Sequence, residues 1–329
     1  MDIHAIHEAA PRKLEAAPQQ KRIVTIFAGI TVLSALLVTA INYVLSLQIA
    51  QTTGLSSMGL RSILSTIQSV LPIVQSIALM CLELGYTSAM LRIARGQYAS
   101  PNGLRLGFDR FSSLMRCLIL QWIIYMGVGI AAFYAAMMIF LHTPFGERLM
   151  ESVAPYIQDT SLISSGAYLL DEAAQAQISE ATTPLLVIFG ILCLVILVPI
   201  LYRFRMADYV IIDKPGIGGL AALRESRMIM KGNCLKLFRL DLSLWWYHLL
   251  TALTLALCYG DVILSFLGIE VGIHPDVLYY GFYAIYLTVQ FAIAYGLRNR
   301  VDVSYALAYE QLRPKEAETS AVLGNIFQM

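Results

Sequence analysis

The sequence predicts an all-α, polytopic integral membrane protein: a helical bundle with six transmembrane helices and both termini on the cytoplasmic side. Three observations carry this. Of the 329 residues, 58% are hydrophobic and only 14% are charged, with a mean hydropathy of +0.67. A soluble chain of this composition lacks the polar groups to cover its surface, so the surplus faces lipid. The apolar residues gather in six runs, each near or above the ~20 residues that cross a hydrocarbon core. Finally, the Lys and Arg residues alternate between connections, as they do when cytoplasmic loops carry the basic excess.

In chain order, residues 1–22 form a cytoplasmic N-terminal tail. The apolar run that follows, from Ile23 to about Ala50, is too long for the apolar core of a cleaved signal peptide and stays as an anchor. The spans lie at about 23–48, 65–91, 113–141, 184–203, 240–267 and 277–297, inside a membrane domain of residues 23–312. The second and third are long enough to tilt or to extend beyond the bilayer. Gly190 and Pro199 mark a kink in the fourth, as such residues do in membrane helices.

Of the 23 Lys and Arg residues, only Arg61 and Arg148 fall in the first, third and fifth connections. The long connection 142–183 holds Glu147, Glu151, Asp159, Asp171, Glu172 and Glu180 against one arginine, which suits an outside location. Residues 313–329 form a second cytoplasmic tail. Cys81, Cys117, Cys193 and Cys258 lie in apolar runs and Cys234 beside charged residues, so no disulfide framework is expected. A faint internal echo, with basic connections joining spans two to three and four to five, is explained as well by re-entry past basic anchors as by a transporter repeat.

One stretch tests the membrane reading. An apolar, strand-like run from Tyr209 meets Gly216, Gly218, Gly219 and Ala221, which fit the pattern of a dinucleotide-binding turn. That turn needs a βαβ unit, and the segment 203–239 is bracketed by spans, with room for one helix and no sheet. The alternative is an amphipathic helix at the cytoplasmic membrane surface over 214–232. Asp213 caps its start, Pro215 occupies its first turn, and Gly232-Asn233 stops it. Arg224, Arg227 and Lys231 share one face, and Arg203 and Arg205 precede them. All five are candidates for anionic headgroups or a cytoplasmic partner. The plain alternative is that they only obey the positive-inside rule.

Tyr202, Met206, Ala207, Tyr209, Ile211, Asp213 and Pro215, then Ala222 and Ser226, Met230 to Asn233, Leu237-Phe238 and Trp245-Trp246 compose a block. With "LGYTSAMLRIARGQ" at 84–97 and "YALAYEQL" at 305–312, it resembles the bacterial membrane-protein family catalogued as domain of unknown function 975. That family is in turn similar to the membrane domain of some glycerophosphodiester phosphodiesterases. The resemblance implies a six-helix membrane fold in the bacterial plasma membrane and brings no activity. The chain departs from the family pattern in its longer 142–183 connection and in Cys234-Leu235.

Ionisable groups inside spans are functional candidates, since each costs about 2.5–3.5 kcal/mol at the membrane centre. Glu83 is the clearest, with Arg116 or Arg203 as a basic partner. His248 and Asp261 lie in span five, and Tyr283, Tyr286 and Gln290 share a face of span six with Tyr279. A polar relay or cavity is one reading; a structural ion pair and an aromatic belt are the other. The sequence has no zinc-protease, nucleophile-elbow or phosphate-loop motif, and His4 and His7 lack metal spacing. It reads as a non-enzymatic transport or lipid-handling component with no cofactor. Its expected partners are anionic lipids, and a separate ATPase or an envelope protein, not nucleic acid. An accessory scaffold docking a partner through 142–183 and an intramembrane lipid enzyme are the other readings.

Overall fold

The computed structural model describes residues 1–52, 58–158, 172–268, 272 and 275–313, and among them every regular element is helical. The chain divides into two compact units, residues 1–115 with 206–329, and residues 116–205.

In the first unit, α1 (Ile3–Glu15) leads into the long α2 (Gln20–Gln51) and α3 (Met58–Ala94). A 3-10 turn (Pro101–Arg105) and the short α4 (Leu106–Asp109) follow. After the second unit come α8 (Ala207–Asp213), α9 (Gly219–Met230), α10 (Cys234–Ser243), α11 (Trp245–Cys258) and α12 (Gly260–Phe266). The last stretch is α13 (Pro275–Ile293), a π-turn (Ala294–Arg298) and α14 (Asn299–Leu312). The second unit holds most of α5 (Phe111–Leu141), together with α6 (Pro144–Gln158) and α7 (Glu172–Phe204).

Among the described residues, five helical stretches are long and apolar enough to cross a membrane: Gln20–Gln51, Met58–Ala94, Phe111–Leu141, Thr182–Asp213 and Val277–Leu312. The count becomes six if α10 and α11, bent by 68° at their junction, form one span. At 1.5 Å per residue, the 37 residues of α3 are roughly 55 Å long, well beyond the ~30 Å of a hydrocarbon core. Burial shows where the excess goes. The buried residues of α2 are Ile23, Val24, Phe27 and Ala28, all in its first turns, and those of α3 all lie between Cys81 and Ala94. Outside these stretches, side chains such as Leu33 and Ile73 stand bare, as lipid-facing residues do.

The packed core is therefore a layer built from helix ends and short helices. α14 contributes Val301, Val303, Ala306 and Ala308, α8 Ala207, Val210 and Ile211, and α9 Ala222, Leu223, Ile229 and Met230. The Ser226 hydroxyl, buried on α9, accepts a hydrogen bond from the Met206 amide at 3.2 Å, closing the α8–α9 hairpin. The expected N-terminal tail belongs to this layer. Asp2 caps α1 by accepting from the Ala5 amide, and Ile6, Ala10 and Leu14, spaced by one helical turn, are buried. Burial of Ile6 and Leu14 contributes on the order of 4 kcal/mol, enough to order a segment that composition marks as polar.

Other expectations need correction. The surface helix begins at Gly219, not near Lys214, because 207–213 is itself helical and Asp213 ends that helix instead of capping the next. The strand-like run from Tyr209 is thus α8, and the glycines after it join two helices. Gly232 takes φ +76°, a left-handed value that suits glycine at the stop after α9. The helix expected over 240–267 is interrupted at Leu244 and Tyr259, and the helical stretch that begins with α13 runs on through the π-turn to Leu312. α7 continues as one helix through Pro184, Gly190 and Pro199, so a bend at these residues does not end it. The connection 142–183 contains α6 and the start of α7, while 159–171, and 314–329 of the C-terminal tail, lie outside the described residues. In the second unit Thr143 turns the chain from α5 into α6. Its hydroxyl donates to the Phe140 carbonyl at 2.6 Å and accepts from the Gly146 amide at 3.3 Å.

Candidate functional site

Apart from Arg61, the described Lys and Arg residues of the first unit lie at the same end of the long helices as its core. Arg95 follows α3 and reaches two other elements at once. Its Nε and terminal nitrogen donate to one Glu310 carboxylate oxygen on α14, at 2.8 and 2.7 Å. The terminal nitrogen also meets Asp213 of α8 at 2.6 Å. The second Asp213 oxygen accepts from the Tyr309 hydroxyl at 2.9 Å and from Arg313 at 3.2 Å. Burial alone would lower the Arg95 pKa, but the hydrogen bonds to Asp213 and Glu310 outweigh it and hold the guanidinium above its usual value. Charge-assisted bonds of this kind are worth about twice neutral ones, so the network ties three elements at one point.

A small cavity of about 190 Å³ opens beside this network, lined by Ser88, Arg92, Arg95, Gln97, Arg110 and Asp213, among others. A larger apolar groove of about 530 Å³ runs between α2 and α3. Its walls include Ile30, Leu37, Val38, Leu71, Val74 and Ala78, and one end is closed by Pro101, Asn102, Arg105 and Phe108. The Gln75 amide donates to the Ser34 hydroxyl at 3.4 Å within this groove.

The intramembrane candidates fall into separate groups. Glu83 pairs with Arg298 of the π-turn, where Arg116 or Arg203 had been expected. Arg298 also donates to Asp302 at 3.2 Å, and its guanidinium lies 4.9 and 5.3 Å from the Phe27 and Tyr86 ring centres. Those two rings stack at 4.4 Å, so the ion pair has an aromatic floor that favours a cation. His248 lies 3.3 Å from the Tyr305 hydroxyl, which donates to Asp241 at 2.5 Å. Gln290 donates to Thr254 at 2.8 Å and joins α13 to α11. Tyr283 stacks on Tyr279 at 6.2 Å and meets Tyr286 at 5.9 Å, so this face is a run of ring contacts. Asp261 lies in α12, and its side chain is outside the described residues.

The basic candidates on α9 are exposed. Arg224, Arg227 and Lys231 share the outer face with Leu220 and Met228, while Leu223, Ser226 and Ile229 face the core. Arg203 and Arg205 close the second unit, the Arg205 guanidinium lying 5.5 Å from the Tyr202 ring centre. The residues that sequence reasoning missed are Arg95, Arg105, Arg110, Arg298, Asp302 and Glu310. The family model described as protein of unknown function (DUF975) matches residues 13–296. No curated protein and no solved structure matches the chain.

Proposed function

The chain belongs to the DUF975 family, whose function is unknown, and from that premise we propose that it is a non-enzymatic lipid-handling component of the bacterial plasma membrane. In this reading it seats an anionic lipid along the α2/α3 groove. The groove itself carries the proposal: about 530 Å³ of apolar wall is chain-sized, and Arg105 with Asn102 gives one end a cationic, hydrogen-bonding mouth. An acyl chain fits the wall and an anionic headgroup fits the mouth. The exposed Arg224, Arg227 and Lys231 of α9 lie where the same bilayer surface, or a separate cytoplasmic partner, would meet them. A likeness of the central block to the membrane domain of some glycerophosphodiester phosphodiesterases belongs to the same proposal.

The test is native mass spectrometry of the full chain released from nanodiscs of phosphatidylglycerol and phosphatidylcholine in equal amounts. Arg105→Gln lowers the preference for the anionic lipid about fivefold, the equivalent of roughly 1 kcal/mol for one basic residue near an anionic headgroup. Ala78→Trp, which fills the groove, removes retained lipid of both kinds. Equal retention by wild type and both variants would sink the reading.

The proposed topology is six crossings, the bent α10–α11 pair counting as one, with both termini cytoplasmic. It rests on the Lys and Arg distribution, of which only Arg61 and Arg148 lie on the opposite side. In a background with the five cysteines replaced, an impermeant maleimide applied to intact cells will label Glu151→Cys and spare Asp2→Cys. Labelling at position 2 would reverse the orientation.

A further inference from the structure

The small cavity beside Arg95 does not belong to the lipid groove. The groove is lined from one side of the 101–108 segment by Leu104, Arg105 and Phe108; the cavity takes Leu106 and Arg110. Its walls carry three guanidinium groups, from Arg92, Arg95 and Arg110, against one carboxylate, Asp213. That carboxylate is already engaged by Arg95, Tyr309 and Arg313. One terminal nitrogen of Arg110 donates to the backbone carbonyls of Ile211 and Ile212, which bring no charge. Arg92 has no ion pair among the described residues. Counting Glu310, Arg313 and the Asp109 beside Arg110 as the next layer, four cations face three carboxylates. Burial pushes the Arg110 pKa down; Asp213 and Asp109 oppose the fall, and the Arg92 charge adds to it.

The neutral lining suits an anion as well. Ser88 is buried on α3, and its hydroxyl has no hydrogen-bond partner among the described residues. Gln97 adds an amide at the exposed side. Guanidinium forks match tetrahedral oxyanions, since two parallel N–H donors meet two oxygens. Size narrows the class: about 190 Å³ is below the range of roughly 300–1,000 Å³ typical of larger ligand pockets. We propose that this cavity is a binding site for one phosphate group, with Arg92, Arg95, Arg110 and Ser88 as its donors. The phosphate is either free in the cytoplasm or the monoester headgroup of a lipid. The site does not depend on the groove reading, and the two are tested by different residues.

The full chain in detergent is equilibrated with radiolabelled orthophosphate, and in parallel incorporated into nanodiscs with phosphatidate or phosphatidylcholine. One orthophosphate bound per chain, weakened at least tenfold by Arg92→Gln and unchanged by Arg105→Gln, is the expected result for a free ion. Retention of phosphatidate but not orthophosphate, lost in Arg92→Gln, assigns the site to a lipid headgroup. Arg92 is exposed, so its substitution leaves the fold intact, and Arg92→Lys will recover part of the affinity because charge returns without the fork. Failure to bind either ligand, or binding indifferent to Arg92→Gln, overturns the proposal.

Discussion

Asp213→Ala will destabilise the protein by about 3 kcal/mol, read as a lowered unfolding midpoint in mixed detergent–dodecyl sulfate micelles. Asp213 is 14% exposed and holds Arg95, Tyr309 and Arg313 through both of its oxygens. Removing one member of a half-buried ion pair leaves the partner charge poorly compensated, which is why the loss exceeds the net worth of any single bond. The value sits at the lower edge of the usual range because Arg95 keeps Glu310 and Arg313 is 41% exposed. Asp213→Asn retains an oxygen for the Tyr309 hydroxyl and will fall between wild type and alanine. If the alanine variant stays within about 0.5 kcal/mol of wild type, as ordinary surface changes do, the network does not tie the helices together.

The contrast between Asp213 and its neighbours shows what the sequence makes legible. Long apolar runs have a length fixed by the bilayer, so α2, α3, α5 and α7 were predictable from composition alone. The partners of Asp213 were not, because Arg95 and Tyr309 lie 118 and 96 positions away and only the fold brings them near. Read locally, an aspartate before Lys-Pro looks like a helix cap, and the tertiary network overrode that preference. The same holds for Glu83, whose partner Arg298 is 215 positions distant. The helix α1 was within reach, since Asp2, Ile6, Ala10 and Leu14 show a cap and a buried stripe, but the surrounding charges pointed to a tail. Nothing local marks the break at Leu244, where no Gly or Pro stands. Its position matches long-range contacts: the Tyr305 hydroxyl bonds Asp241, and His7 meets Ser243 at 2.8 Å.

Gly107→Ala will destabilise by about 3 kcal/mol, near the top of the range for overpacking, because the obstruction is backbone and no side chain can turn aside. A Cβ at Gly107 would overlap the carbonyl of Cys81, and one at Gly85 would overlap the carbonyl of Leu104. Cys81 and Gly85 are one helical turn apart on α3, so together they form a notch in which the 101–109 segment lies directly on the helix. Small residues permit such close approach between membrane helices for the same reason. Gly103→Ala is the internal control: it lies in the same segment, a Cβ there meets nothing within 4 Å, and the change will stay within about 0.5 kcal/mol. The segment also carries Arg105 at the groove mouth and ends beside Arg110 in the cavity. Lifting it from α3 must disturb both, so Gly107→Ala will weaken lipid retention and orthophosphate binding together, whereas Arg105→Gln and Arg92→Gln each affect one. Equal melting and equal binding for the alanine variants at 103 and 107 would mean that the segment is not seated on α3 in this way, and both binding proposals would lose their common support.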